Sequence, residues 1–100
     1  MISSDQIFEI KALLKGSGIR PTRQRLGLAN LLFGEKNRHV TAETLHQEAN
    51  DCGLRMALAT VYNSLHAFTQ AGLLREVVVD AGCRYFDTNV SHHHHLLREQ

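Results

Sequence analysis

Four consecutive histidines, His92 to His95, stand near the C-terminal end in SHHHHLLREQ, with sequence on both sides. Such a run can be an expression tag, an accident of composition or a set of metal ligands. This one follows a hydrophobic segment and is followed by LLREQ rather than by a linker, which favours ligation. Neutral imidazole is the commonest side-chain metal ligand. In an extended segment side chains alternate faces, so His93 and His95 share one side and His92 and His94 the other. A transition metal needs further donors from elsewhere in the chain. Asp87, eight residues before His95 and of the same strand parity, is one candidate. His39, just ahead of a helical pattern, is the other.

A second group of residues suits a different chemistry. Between Ala57 and Ala71 there is no Lys, Arg, Asp or Glu. At about 100° per residue, Leu58, Val61, Leu65 and Phe68 gather on one helical face. Ala59, Thr60, Asn63, Ala67 and Gln70 then point away, with Tyr62 and His66 on a flank. A solvated helix normally carries Lys and Glu on its outer face. A small, neutral, polar face can instead enter a DNA major groove, where Asn bonds adenine bidentately and Ala, Thr or Tyr meets a thymine methyl. Packing against another domain or protomer is the alternative. Charge distribution bears on the choice, since Lys11, Lys15, Arg20, Arg23 and Arg25 occur with no acid among them, while Glu43, Glu48 and Asp51 make a later segment acidic. Such a basic segment supplies the phosphate contacts that position a protein on a duplex. Pro21 holds Arg20 extended, which suits a narrow minor groove. Arg23 and Arg25, at a helix start, suit phosphates.

These residues must be positioned by a small fold. One hundred residues at 43% hydrophobic content make one domain, and the net charge of +1 says nothing by itself about partners. Ser3 and Gln6 form a capping box ahead of Ile7, Ile10 and Leu14, and GSG at 16–18 ends that helix. Thr22 caps a second helix through Leu26, Ala29 and Phe33, closed by Gly34. Thr41 caps a third, with Ala42, Leu45, Ala49 and Cys52 on one face and Gly53 as terminator. The fourth runs from Leu58 to Phe68 and ends at Gly72. REVVVDAGCRYFDT then reads as a β-hairpin turning at Asp80-Ala81-Gly82. The expected fold is mainly α with a β-hairpin wing: a winged helix-turn-helix of four helices followed by a small antiparallel sheet.

Other classes lack their signatures. Cys52 and Cys83 form no Cys-x-x-Cys pair and are expected to pack as small apolar residues. No serine or cysteine lies in a nucleophile elbow, no glycine loop cradles phosphate, and Leu96-Leu97 follows the histidines where hydrolases commonly place Asp-His. No enzyme is expected. MISSDQIFEI lacks the order of a signal peptide and no apolar run is long enough to span a membrane, so the expectation is a cytoplasmic protein without membrane partners.

The blocks GIRPTRQR (18–25), RHVTAETLHQEA (38–49) and ALATVYNSLHAFTQAGLL (57–74), with the histidine-rich end, resemble the ferric uptake regulator (Fur) family. Order and spacing agree from about Gly18 to Leu97, and RYFDTNVSHHHH resembles the iron response regulator (Irr) branch. The resemblance implies a dimeric, metal-dependent transcription regulator that binds double-stranded operator DNA. Residues 1–88 would be its winged-helix DNA-binding domain. Residues 89–100 would be a hinge and the start of a C-terminal dimerisation and metal-sensing domain that is cut short. It further implies that the fourth helix reads the major groove with Tyr62 on the bases and that Arg20 reaches the minor groove, so that with the residues read above the expected DNA contacts are Arg20, Arg23, Ala59, Thr60, Tyr62 and Asn63. His39, Asp87, His93 and His95 match the family's regulatory metal site, and His92 and His94 a second metal or haem site. A nitrogen and oxygen donor set without thiolate suits Fe, Mn or Zn as the divalent metal. The Irr branch implies operator binding when iron is scarce and release when haem accumulates. A manganese-, zinc- or peroxide-responsive Fur-family repressor is the alternative, as is a metal- or haem-binding module with no DNA role. Three departures stand out: Asn63 replaces a frequent arginine, Asp87 is closer to the peroxide-sensing branch than to iron sensors, and no Cys-Pro haem motif is present.

Overall fold

Two threonines start helices by the same device. Thr22 and Thr41 are both extended (ψ 163° and 161°), and their side chains accept hydrogen bonds from the N–H groups of Arg25 and Thr44. The computed structural model describes residues 4–34, 37–80 and 82–90. Its elements are α1 (Ser4–Gly16), α2 (Arg23–Phe33), β1 (His39–Val40), α3 (Ala42–Asp51), α4 (Leu58–Gln70), β2 (Arg75–Asp80) and β3 (Cys83–Asp87). Four helices and a hairpin appear in the expected order, and α3 and α4 flank a short turn. This is a winged helix-turn-helix. The capping box at Ser3 and the histidine segment beyond Val90 lie outside the described residues.

The core gathers Leu14, Leu28, Leu32, Leu45, Val61, Leu65, Phe68 and Phe86, all essentially inaccessible. Its helical part follows the expected stripes on α3 and α4, although Leu58 is only half-buried. Three expectations fail. Ile7 is 44% exposed, because α1 packs chiefly on α2 and one stripe through Ile10 and Leu14 suffices. On α2 the buried set is Leu28, Ala29 and Leu32, with Leu26 and Phe33 at its margin. In RLGLANLLF apolar residues point in several directions, so periodicity does not select the inner face. Cys52 ends α3 exposed, its thiol donating to the Glu48 carbonyl at 3.0 Å, and Cys83 is half-buried.

Among four glycines with positive φ, two make the turns that flank the candidate reading helix and wing. Gly53 (φ +88°) reverses the chain after α3, and Gly82 (φ +85°) turns the wing. Gly34 instead closes α2 in the right-handed region (φ −76°), where any residue fits. The sheet also holds a strand that the hairpin pattern did not announce. Two-residue β1 pairs antiparallel with β3, giving the order β1-β3-β2. Val40 and Phe86 face each other on the core side, so their neighbours His39 and Asp87 face each other on the outer side. Arg38 fastens this seam: its N–H donates to Thr88 Oγ1 at 2.8 Å, and its guanidinium grips the Glu48 carboxylate at 2.9 and 2.7 Å and the Leu31 carbonyl at 2.9 Å. No helix among the described residues is long and apolar enough to cross a membrane.

Candidate nucleic-acid interface and metal ligands

The outer face of α4 is built as its sequence suggests. Ala59 and Asn63 are exposed and Thr60 is half-exposed, over an inner face of Val61, Ser64, Leu65 and Phe68. Small residues at the N-terminal end leave backbone and amide groups free to approach base edges closely. Tyr62 is the exception to a simple outward display. Half-buried on the flank, its hydroxyl donates to Glu43 Oε2 of α3 at 3.2 Å. That hydrogen bond to the carboxylate, then burial and the like-charge effect of Glu43, raise the phenol's pKa above its ordinary value, with Arg84 acting in the opposite sense. Tyr62 and Glu43 open onto a groove shared with Thr41, Cys83 and Arg84 of the wing. Sequence spacing gave no sign of Glu43, because its relation to Tyr62 exists only once α3 and α4 cross.

Arg20 lies exposed between α1 and α2, its carbonyl accepting from Thr22 N–H at 2.9 Å and from Arg25 Nη1 at 3.4 Å. Arg25 is thus partly used in fixing that loop. Arg23, exposed in the first turn of α2, lines a shallow pocket with Gln24, Gly53, Leu54 and Arg55. The basic segment from Lys11 to Arg25 gave no reason to include Arg55, which joins it only through the fold.

The candidate metal ligands divide between what the structure describes and what it does not. His39 and Asp87 are direct partners across the β1–β3 ladder, although 48 positions apart in the sequence. Asp87 Oδ1 accepts from Asn89 N–H at 2.8 Å, and Oδ2 lies 3.6 Å from Arg75 Nη2. The His39 ring packs edge-on against Tyr85 at 5.7 Å between centroids. His39, Asp87, Arg75 and Tyr85 line one open pocket on the outer sheet face. An imidazole beside a carboxylate fits a borderline divalent ion such as Mn(II), Fe(II) or Zn(II) as part of a larger donor set. Among the described residues no third His, Cys, Asp or Glu completes it. His92, His93, His94 and His95 lie outside them.

Comparison with known proteins follows the same outline. The Ferric uptake regulator family matches residues 16–100. The ferric uptake regulation protein of Shigella flexneri is 38% identical over 85 residues, covering 84% of this chain and 57% of that protein. The peroxide-responsive repressor PerR of Staphylococcus aureus (strain Mu50) is 30% identical over 95 residues, covering 95% and 64%. Among solved structures, the ferric uptake regulator from Pseudomonas aeruginosa with manganese superposes with a TM-score of 0.74 at 30% identity, over 81% of this chain and 60% of that one. The chain spans a little over half the length of the Shigella relative.

Proposed function

The chain belongs to the ferric uptake regulator family, and from that premise we propose that it is the DNA-reading part of a divalent-metal-responsive transcription regulator. The observation that carries this reading is the charge-free outer face of α4, a 13-residue helix, in a domain that also exposes Arg20 and Arg23. Ala59, Thr60, Tyr62 and Asn63 read base edges, and the arginines hold phosphate and minor groove. His39 and Asp87 supply an imidazole nitrogen and a carboxylate oxygen to the metal, with His93 and His95 as the further donors. A bound ion would supply a fixed positive charge joining those side chains. The ligands belong to β1 ahead of α3, the end of the wing and the segment beyond Val90. Whatever arrangement they share is the one the ion favours, through its higher affinity for that arrangement. Residues 89–100 act as the hinge into a dimerisation domain, and two copies place two reading helices on two half-sites.

The finer choice concerns the signal. Ferric and peroxide-responsive regulators occur among the matched proteins, one ferric regulator is known with manganese, and the juxtaposition of His39 and Asp87 suits a divalent ion, so that reading comes first. The Irr-like sense, with binding lost when haem occupies His92 and His94, rests on the RYFDTNVSHHHH block alone.

The test uses full-length protein and a duplex that it selects from a random pool in the presence of Mn(II). Tyr62→Ala and Asn63→Ala should each weaken binding to the selected duplex by about 1–3 kcal/mol and leave random duplex unaffected. Unchanged discrimination in both variants would falsify α4 as the reader. His39→Ala and Asp87→Ala should abolish the gain in affinity on adding Mn(II). If haem rather than Mn(II) governs binding, the Irr-like reading replaces the first.

A further inference from the structure

We infer that Arg55, paired with Arg23, is a clamp for one phosphodiester group of the DNA backbone beside the first turn of α4, an inference that rests on the DNA-binding reading above. Arginines in this fold sort into two kinds. Arg38, Arg75 and Arg84 each lie against a carboxylate, at 2.7 Å from Glu48, 3.6 Å from Asp87 and 3.2 Å from Glu76. Arg20, Arg23, Arg25 and Arg55 have no such acid among the described residues. Arg23 and Arg55 are 32 positions apart in the sequence yet line the same shallow pocket, with Gln24 between α2 and the turn that leads into α4.

The convergence is built. Gly53 takes a positive φ, the Leu54 N–H returns to the Ala49 carbonyl at 2.8 Å, and the Leu54 side chain rides directly on Gly27 of α2. A Cβ at Gly27 would collide with Leu54. Leu54 over Gly27 thus ties the α3–α4 turn to α2, and Arg55 follows Leu54 in that turn. Two guanidinium groups on the rim of one pocket, with no acid among its lining residues, make that pocket positively charged and suited to a shared anion. Their planar N–H forks and the Gln24 amide match the oxygens of a phosphate diester. Arg55 stands two residues before Ala57, the N-cap of α4, so a phosphate held there fixes where the reading helix begins.

A sequence-independent charge contact is read best by salt dependence. Full-length protein would be titrated with random duplex and with its selected duplex from 50 to 200 mM salt. Each phosphate neutralised contributes about 0.9 to the slope of log affinity against log salt. Arg55→Ala should reduce the slope by about that amount on both duplexes, narrowing the loss over this range by about threefold. Arg55→Lys should keep the slope, and the thermal midpoint of both variants should match wild type, since no hydrogen bond or ion pair of the fold is removed. Because one phosphate is shared, the double variant Arg23→Ala/Arg55→Ala should show the reduction once and not twice. A wild-type slope in Arg55→Ala overturns the clamp while leaving the DNA-binding reading intact. A doubled reduction overturns the sharing. Absence of any salt-dependent binding by wild type overturns the reading on which the clamp rests.

Discussion

On the proposed reading Tyr62 serves two partners with one hydroxyl. In the free protein the group donates to Glu43, and on the proposed DNA complex the same edge of the ring faces the major groove. Glu43 therefore holds the ring in place. The carboxylate raises the Tyr62 pKa, first by accepting its proton in a hydrogen bond, so the neutral phenol is favoured in the folded state. The stability linked to it is fully present below the unfolded value near 10 and is lost as pH rises through the higher folded value. Glu43→Gln should bring one tyrosine titration back toward its ordinary position in an alkaline absorbance titration. Tyr85 should be unaffected, because its own pKa is raised chiefly by hydrogen bonding to Cys83. Two unchanged titrations in Glu43→Gln would mean that the contact does not persist in solution. Asn63 and Ala59 could be read from the sequence, since helical projection alone turns them outward. Glu43 and Arg55 could not, because each meets its partner through packing between elements.

At the scale of elements, the helices differ in how they begin. Thr22 and Thr41 satisfy an N–H of the first turn, whereas α4 starts at Ala57 with no side-chain hydrogen bond. Replacing Ala by a capping residue is worth about 1 kcal/mol. Ala57→Ser should therefore stabilise the domain by about that amount and raise its melting midpoint by about 4–8 °C. A midpoint equal to or below wild type in calorimetry would show that the hydroxyl does not reach the first turn. Capping signals and the α3 and α4 stripes were legible because they are local and periodic. The inner face of α2 was not, as its apolar residues surround the axis and three neighbouring helices decide which are covered. Nor was β1, since two residues carry no period at all.

Across the whole molecule, the seam between β1 and β3 joins the start of α3 to the end of the wing. Thr88 Oγ1 accepts from Arg38 N–H at 2.8 Å and donates to the Arg38 carbonyl at 3.3 Å, beside a Thr88 N–H to Arg38 carbonyl bond of 2.9 Å. Thr88→Ala leaves the Arg38 N–H without that acceptor and should cost about 1–2 kcal/mol. Urea unfolding should show it as a lower midpoint with an unchanged slope. The topology of helices then wing was legible from the order of patterns. The way the sheet brings His39 opposite Asp87 was legible only as two candidate donors, since register is a tertiary property.

The seam also sets an order of events. Arg38 and Thr88 are 50 residues apart, and closing so long a loop carries an entropic cost that neighbouring helix pairs and the hairpin avoid. That difference predicts that helices and wing form first and β1 docks last. A chain stalled before that step keeps its reading face, yet holds the imidazole and the carboxylate apart. On the proposed reading, an ion bound there recognises only finished molecules. It would slow unfolding far more than it speeds folding, because its contacts are absent from the transition state. On that reading, metal occupancy would double as a quality check on the protein's own folding.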